Sequence, residues 1–217
     1  MIKAVIFDND GVIIDSEPMH IESDMRILEE YGVHWTADKL HRFIGVKDTE
    51  MWEILIKELN LPDSVEMLKE KKARIRKDVF LPERIVPISG IPELFKAIHQ
   101  KGLRIAVASS SPRHQISPWL EQMNLLPYLD VFLTGDDVTN GKPHPEPYKK
   151  AAALLGLLPS ECVAIEDSPH GVESSKEAGC FCIGFRTPGG IYQDLSKADV
   201  IVHAIPEILE KNLLEKF

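Results

Sequence analysis

The sequence predicts an α/β protein, a doubly wound Rossmann-like parallel sheet with an inserted α-helical bundle, and three observations carry that prediction. Short apolar runs rich in Val and Ile read as strands buried on both faces of a parallel sheet. From Pro87 onward these runs alternate with amphipathic helical spacing, the pattern of βα units. From Met19 to about Phe80 the spacing is helical throughout, so a separate bundle interrupts the chain after its first strand.

That first strand, Lys3-Ala4-Val5-Ile6-Phe7, runs into Asp8-Asn9-Asp10-Gly11. Side chains two apart on an extended segment share a side, so Asp8 and Asp10 face one small volume beyond the strand's carboxyl end, where open α/β sheets bind ligands. Carboxylates this close repel unless a cation lies between them, and Mg²⁺ accepts carboxylates, waters and phosphate oxygens together. Gly11 permits the tight backbone with which N–H groups approach an anion. Taken alone, the stretch also reads as an Asp cluster capping the next segment.

Asp15-Ser16-Glu17-Pro18 then signals a helix start, and helices are expected near 19–31, 37–43, 48–59 and 64–79, broken by Gly32, Gly45 and Asn60-Leu61-Pro62. The last of them carries Lys69, Lys71, Lys72, Arg74, Arg76 and Lys77, which reads as a solvated basic face. Hinges are expected near 15–17 and 80–87, the second containing Pro82 and Pro87. Residues 1–15 and 86–217 are thus the expected Rossmann-like catalytic core, and 16–85 a helical cap over the sheet's carboxyl edge.

After the second crossing, Ile91, Leu94, Phe95 and Ile98 form one face of a helix that Gly102 stops. A strand over 104–109, a helix on Ile116, Trp119, Leu120 and Met123, and a strand over 131–134 follow. A helix near 146–156, a strand over 162–166, a helix near 170–178 and strands near 180–184 and 200–202 complete the series.

Three further strand ends carry chemistry. In Ala108-Ser109-Ser110-Ser111-Pro112, a hydroxyl and the amides before a helix suit a phosphate oxygen. Ser111 reads as the N-cap of that helix, which leaves Ser109 and Ser110 for the ligand. In Asn140-Gly141-Lys142-Pro143-His144-Pro145, Lys142 is held between turn formers and prolines, although a lone loop lysine is ordinarily solvated. In Ile165-Glu166-Asp167-Ser168-Pro169, a second acidic pair ends a buried strand, and either Asp167 or Ser168 can cap the next helix. With Asp8 and Asp10, this pair makes a four-carboxylate cluster that calls for a divalent cation.

Together, in this order and each after a strand, Asp8-Asn9-Asp10-Gly11-Val12, Ser109, Lys142-Pro143 and Glu166-Asp167 resemble the haloacid dehalogenase-like phosphotransferase superfamily. The helical insert and Asp15-Ser16-Glu17-Pro18-Met19-His20 are similar to the branch of β-phosphoglucomutase and small sugar-phosphate phosphatases. The resemblance implies that Asp8 is the nucleophile, forming an aspartyl-phosphate, and that Asp10 is the general acid and then the base. It also implies that Asp8, the Asp10 backbone carbonyl, Glu166 and Asp167 hold Mg²⁺. Ser109, Lys142, the turn at Ser110 and the amides of Asn9 and Gly11 would bind the phosphoryl group. The residue between the two aspartates is often apolar in this superfamily; here it is Asn9, whose side chain is expected to point away from the site. His20 matches a mutase cap residue that helps position the acid/base aspartate at the substrate.

The mutase's cap carries an arginine shortly after a Gly-Val pair, which grips a second phosphate. Here Gly45-Val46 is followed by Lys47-Asp48-Thr49, and Asp48 falls where that arginine is expected. A carboxylate there repels phosphate and a lysine lacks the bidentate fork, so the resemblance favours hydrolysis of a phosphorylated small molecule over the phosphosugar mutase alternative. A catalytically silent binding protein on the same fold would show damage to a core motif, and none is damaged.

Composition limits the partners. Net charge is −9, from 25 basic and 34 acidic residues, which argues against a nucleic-acid binder. Cys162, Cys180 and Cys182 are too few for a disulfide framework or four-ligand zinc site. Asp8 cuts the leading apolar run short of a signal peptide or membrane span, so a cytoplasmic protein without membrane contact is expected, and a monomer, since the cap itself can exclude water from the site. Thr187-Pro188-Gly189-Gly190 reads as a turn without an assigned role.

Overall fold

Six parallel strands in the order β3-β2-β1-β4-β5-β6 form the sheet of the computed structural model, with β1 (Ala4–Phe7) in its middle. The others are β2 (Arg104–Ala108), β3 (Val131–Leu133), β4 (Cys162–Glu166), β5 (Phe181–Phe185) and β6 (Val200–Val202). The structure describes every residue except Gly45, Lys47, 187–192 and 216–217. The turn expected at 187–190, and the Gly45 and Lys47 of the cap motif, therefore lie outside the described residues.

β1 is apolar without alternation because both of its faces are covered, and all four of its residues are completely buried. Successive side chains still point to opposite faces. Ala4 and Ile6 meet Tyr148, Ala151 and Ala152 of one helix, and the Phe7 ring lies 4.6 Å from that of Phe95 on another. Alanines at 106, 108 and 164 keep the first of these faces shallow, so the helix approaches closely.

The helices are α1 (Glu17–Glu29), α2 (Ala37–Leu40), α3 (Asp48–Leu59), α4 (Val65–Val79), α5 (Ile91–Gln100), α6 (Arg113–Gln122), α7 (Glu146–Leu154), α8 (Pro169–Ala178) and α9 (Glu207–Glu210). The four-residue α9 is too short to show a period in sequence. No helix is long and apolar enough to cross a membrane, among the described residues.

These residues form two units, Met1–Asp15 with Ile85–Phe217, and Ser16–Arg84. Ile85 lies on the core side of the division, one residue earlier than expected. The chain is tied there to residues 13 and 14: the Ile88 N–H donates to the Ile13 carbonyl, and Ile14 bridges Pro87.

In the helical unit, Ile27, Leu28, Trp52, Leu55 and Leu68 form the core of α1–α4. The basic face of α4 is not simply solvated. Lys72 is only 3% exposed, with its Nζ 2.8 Å from both Asp24 Oδ1 and Asp48 Oδ1. Lys71 pairs with Glu30 and Asp63, and Arg74 with Glu30. Acids on facing segments draw this stripe inward, which spacing along one helix does not reveal.

Candidate active site

Because all six strands are parallel, the residues following β1, β2 and β4 emerge at one edge. The Asp8 N–H extends the ladder by donating to Ile165 (3.0 Å), which anchors the first carboxylate to the strand carrying the second pair. Beyond it the chain turns tightly, with the Asn9 carbonyl accepting from the N–H groups of Ile13 (2.8 Å) and Ile14 (3.1 Å). The Gly11 N–H donates to the Ile14 carbonyl at 2.8 Å, so it closes this turn instead of presenting itself to a phosphate as expected. The tight backbone expected of the glycine is present, with a φ of +80°, and the glycine also makes space: a Cβ there would fall 1.9 Å from Asp167 Oδ2.

Lys142 is brought in from the loop before α7. Glu146 secures that loop by accepting from the N–H groups of Thr139 (2.7 Å) and Asn140 (2.9 Å), and Ser174 Oγ donates to the His144 carbonyl. The lysine side chain is buried, and its Nζ donates to Asp8 Oδ1 at 2.7 Å and to Glu166 Oε1 at 2.5 Å. Glu166 is fully buried. Its Oε1 also accepts from the Tyr148 hydroxyl, and its Oε2 from Ser168 Oγ at 3.3 Å. Ser168 is the residue that caps α8, accepting from the Gly171 N–H, so Asp167 is left for the site. A Cβ on Gly171 would fall 1.9 Å from Glu166 Oε2. Tyr148 and Gly171 were not legible as site residues. Tyr148 sits on the apolar face of α7 and reads as core; the one signal is its hydroxyl, which needs a partner when buried.

Carboxylate oxygens of Asp8, Glu166 and Asp167 lie within 4.8 Å of one another. The expected group of four is three, among the described residues, because the Asp10 carboxylate is turned elsewhere. Its Oδ2 accepts from Ser111 Oγ (2.9 Å) and Asn9 Nδ2 (3.3 Å). Two expectations change with this. The Asn9 side chain does not point away; it is fully buried against Asp10. Ser111 is not the N-cap of α6, a position taken by Pro112; it serves Asp10 instead. Ser109 is buried and its Oγ accepts from the Ser111 N–H (3.0 Å), while Ser110 is exposed on the turn. His20 belongs to the helical unit, edge-on to the Phe80 ring (4.9 Å), and lines that unit's own cavity of about 190 Å³ with Asp24, Asp48 and Lys72.

Electrostatics follow from the burial. Desolvation pushes the Asp8 carboxyl up to about 7 against the pull of Lys142, with Glu166 and Asp10 adding to the rise. Burial, Asp8 and Glu166 raise Asp167 well above the carboxylate range. Burial works against the Lys142 charge, yet Asp8 and Glu166 raise its pKa, so it stays an ammonium. Burial and the Glu166 charge likewise keep Tyr148 a neutral donor. Three carboxylates held against one ammonium, all offering hard oxygen donors, fit a small divalent cation of the Mg²⁺ type.

Comparison with known proteins agrees with this geometry. The chain is 38% identical over 177 residues to the phosphorylated carbohydrates phosphatase of Thermotoga maritima, covering 82% of each. It is 31% identical over 210 residues to the validoxylamine A 7'-phosphate phosphatase of Streptomyces hygroscopicus subsp. limoneus, covering 96% of each. Among solved structures, a Thermotoga maritima protein described as a β-phosphoglucomutase superposes with a TM-score of 0.80 at 34% identity, over the whole of both chains. The sequence profile of the haloacid dehalogenase-like hydrolases matches residues 5–185, and the chain belongs to that family.

Proposed function

We propose that this hydrolase is a Mg²⁺-dependent phosphatase that removes the phosphate of a phosphorylated small carbohydrate through an aspartyl-phosphate on Asp8. The observation that supports this most is Lys142 buried between Asp8 and Glu166, with Asp167 beside them. In this reading an Asp8 oxygen attacks phosphorus while Asp10 gives a proton to the departing alcohol oxygen. Water then attacks the aspartyl-phosphate and Asp10 takes its proton. Lys142 and the Ser109 turn offset the phosphoryl charge at fixed positions, so little reorganisation accompanies the reaction. Asp8, the Asp10 backbone carbonyl, Glu166 and Asp167 would hold the Mg²⁺, which when bound supplies positive charge to the phosphoryl oxygens.

The substrate class rests on the phosphorylated carbohydrates named for the Thermotoga maritima relative. Against a mutase stands Asp48: where the resemblance expects an arginine, a carboxylate is ion-paired with Lys72. The test is phosphate release by wild type and Asp8→Asn with Mg²⁺ on a panel of sugar phosphates and other small monoesters. We expect the variant to lose at least about 10³-fold in kcat. Activity retained in the variant refutes the aspartyl-phosphate route. Conversion of β-glucose 1-phosphate to glucose 6-phosphate with little phosphate release refutes the phosphatase.

A further inference from the structure

We propose that Asn9 and Ser111 are positioning residues for Asp10: together they hold its Oδ2 and so fix the orientation of the carboxylate. The inference rests on the acid/base role given to Asp10 above and assigns what aims that carboxylate. Ser111 Oγ donates to Oδ2 at 2.9 Å, and Asn9 Nδ2 donates to the same oxygen at 3.3 Å. The other oxygen, Oδ1, is buried and accepts no hydrogen bond. The carboxylate is therefore tethered through one oxygen, with the other enclosed by the protein.

Both donors are themselves fixed. The Ser111 N–H is held by Ser109 Oγ (3.0 Å) and its carbonyl accepts from the Gly135 N–H (3.2 Å), so the hydroxyl leaves a braced turn. Asn9 sits at the pivot of the tight turn after β1, where its carbonyl accepts three backbone N–H groups. Its amide is fully buried, and its Oδ1 has no hydrogen-bond partner. A buried amide half satisfied costs free energy that an apolar side chain would avoid. What this amide makes in exchange is the contact to Asp10. The opposite orientation of the amide would set its carbonyl oxygen against a carboxylate oxygen, so Nδ2 is the atom that faces Asp10.

The proton balance follows. Asp10 gives a proton to the alcohol oxygen as its bond to phosphorus breaks and the bond from Asp8 oxygen to phosphorus forms. The attacking water then returns a proton to Asp10, and Asp8 departs as a carboxylate. A carboxyl free to rotate would be misaligned part of the time, and the penalty would fall on leaving groups that need the proton.

The test compares kcat/KM, which reports steps up to release of the leaving group, for p-nitrophenyl phosphate and for the best alkyl phosphate of the panel. Nitrophenolate leaves with little help from an acid, whereas an alkoxide requires it. Asp10→Asn should lower the alkyl-to-aryl ratio about 100-fold, and Asn9→Leu and Ser111→Ala each about tenfold. Ser111→Thr, which keeps the hydroxyl, should restore the ratio. Thermal melts check that each variant folds, and Ser111→Ala carries the test if Asn9→Leu does not. If Asp10→Asn leaves the ratio unchanged, the acid role of Asp10 falls and the positioning with it. If Asp10→Asn shifts the ratio while Asn9→Leu and Ser111→Ala lower both substrates equally or not at all, the positioning alone is overturned. A shift in one of the two assigns the role to that residue and removes it from the other.

Discussion

Among the described residues, two lysines have side chains buried between paired carboxylates, and one of them stands in the candidate site. Lys142 in the core unit bridges Asp8 and Glu166; Lys72 in the helical unit bridges Asp24 and Asp48. The lysine side chains are 7% and 4% exposed, so burial does not distinguish them. The number of carboxylates does. Asp167 adds a third carboxylate beside Lys142, with Asp8 and Glu166 buried and Asp167 half-buried. Around Lys72 two carboxylates face the ammonium, the Arg76 charge also draws on Asp24, and Asp48, whose side chain is 43% exposed, reaches solvent. A lysine matched by its acids is structural, while one crowded by further carboxylates is poised for an added cation.

Mutation of the two lysines should break the symmetry most strongly. Lys72→Met strands Asp24 in the helical core, and chemical denaturation should show a loss of roughly 3–5 kcal/mol, because a buried charge is left without its partner. Added Mg²⁺ should restore none of it. Lys142→Met should instead lower kcat/KM by about 10²–10³-fold, some 3–4 kcal/mol of barrier, in steady-state assays of phosphate release.

The next effect is the pH dependence that Asp24 contributes in the helical unit. Burial pushes the Asp24 carboxyl from 3.8 up to about 6, although Lys72 pulls it down. The folded state therefore holds this proton more tightly than the unfolded chain, and the stability it contributes is full below pH 4 and lost as pH rises through 6. The shift corresponds to ~3 kcal/mol. Denaturation of wild type and Asp24→Asn between pH 4 and 7 should show wild type losing more stability over that window; parallel curves would refute the assignment. Smallest is the response to the metal. At 100 times its Kd, Mg²⁺ should stabilise wild type by about 2.7 kcal/mol, seen as a raised Tm, and Asp167→Asn should lose most of that rise. An equal rise in both would remove Asp167 from the cation site.

The comparison also explains what was legible in advance. The motif acids could be read because each follows an apolar run, and a parallel sheet brings the ends of such runs to one edge. Lys72 could not, since its neighbours on α4 show a basic stripe and its partners lie 48 and 24 residues away. Tyr148 was hidden in the same way by the apolar face of α7. Gly11 was legible as the glycine of a tight turn, and its φ of +80° agrees; that its N–H closes the turn and its missing Cβ makes room for Asp167 was not.

The sequence by itself determined the α/β class, the helical insert and the carboxylates at the ends of β1 and β4, because periodicity and local turn chemistry are properties of neighbouring residues. Tertiary structure alone decided which groups meet. Lys142 reaches Asp8 across 134 residues, Ser111 reaches Asp10 across 101, and Asn9 turns inward to the same carboxylate. Those contacts depend on the register of parallel strands, with Ile6 opposite Ala106 and Ala164, and on how closely α7 packs against them. No local pattern encodes that register, so the charge balance of the site exists only once the sheet has closed around it.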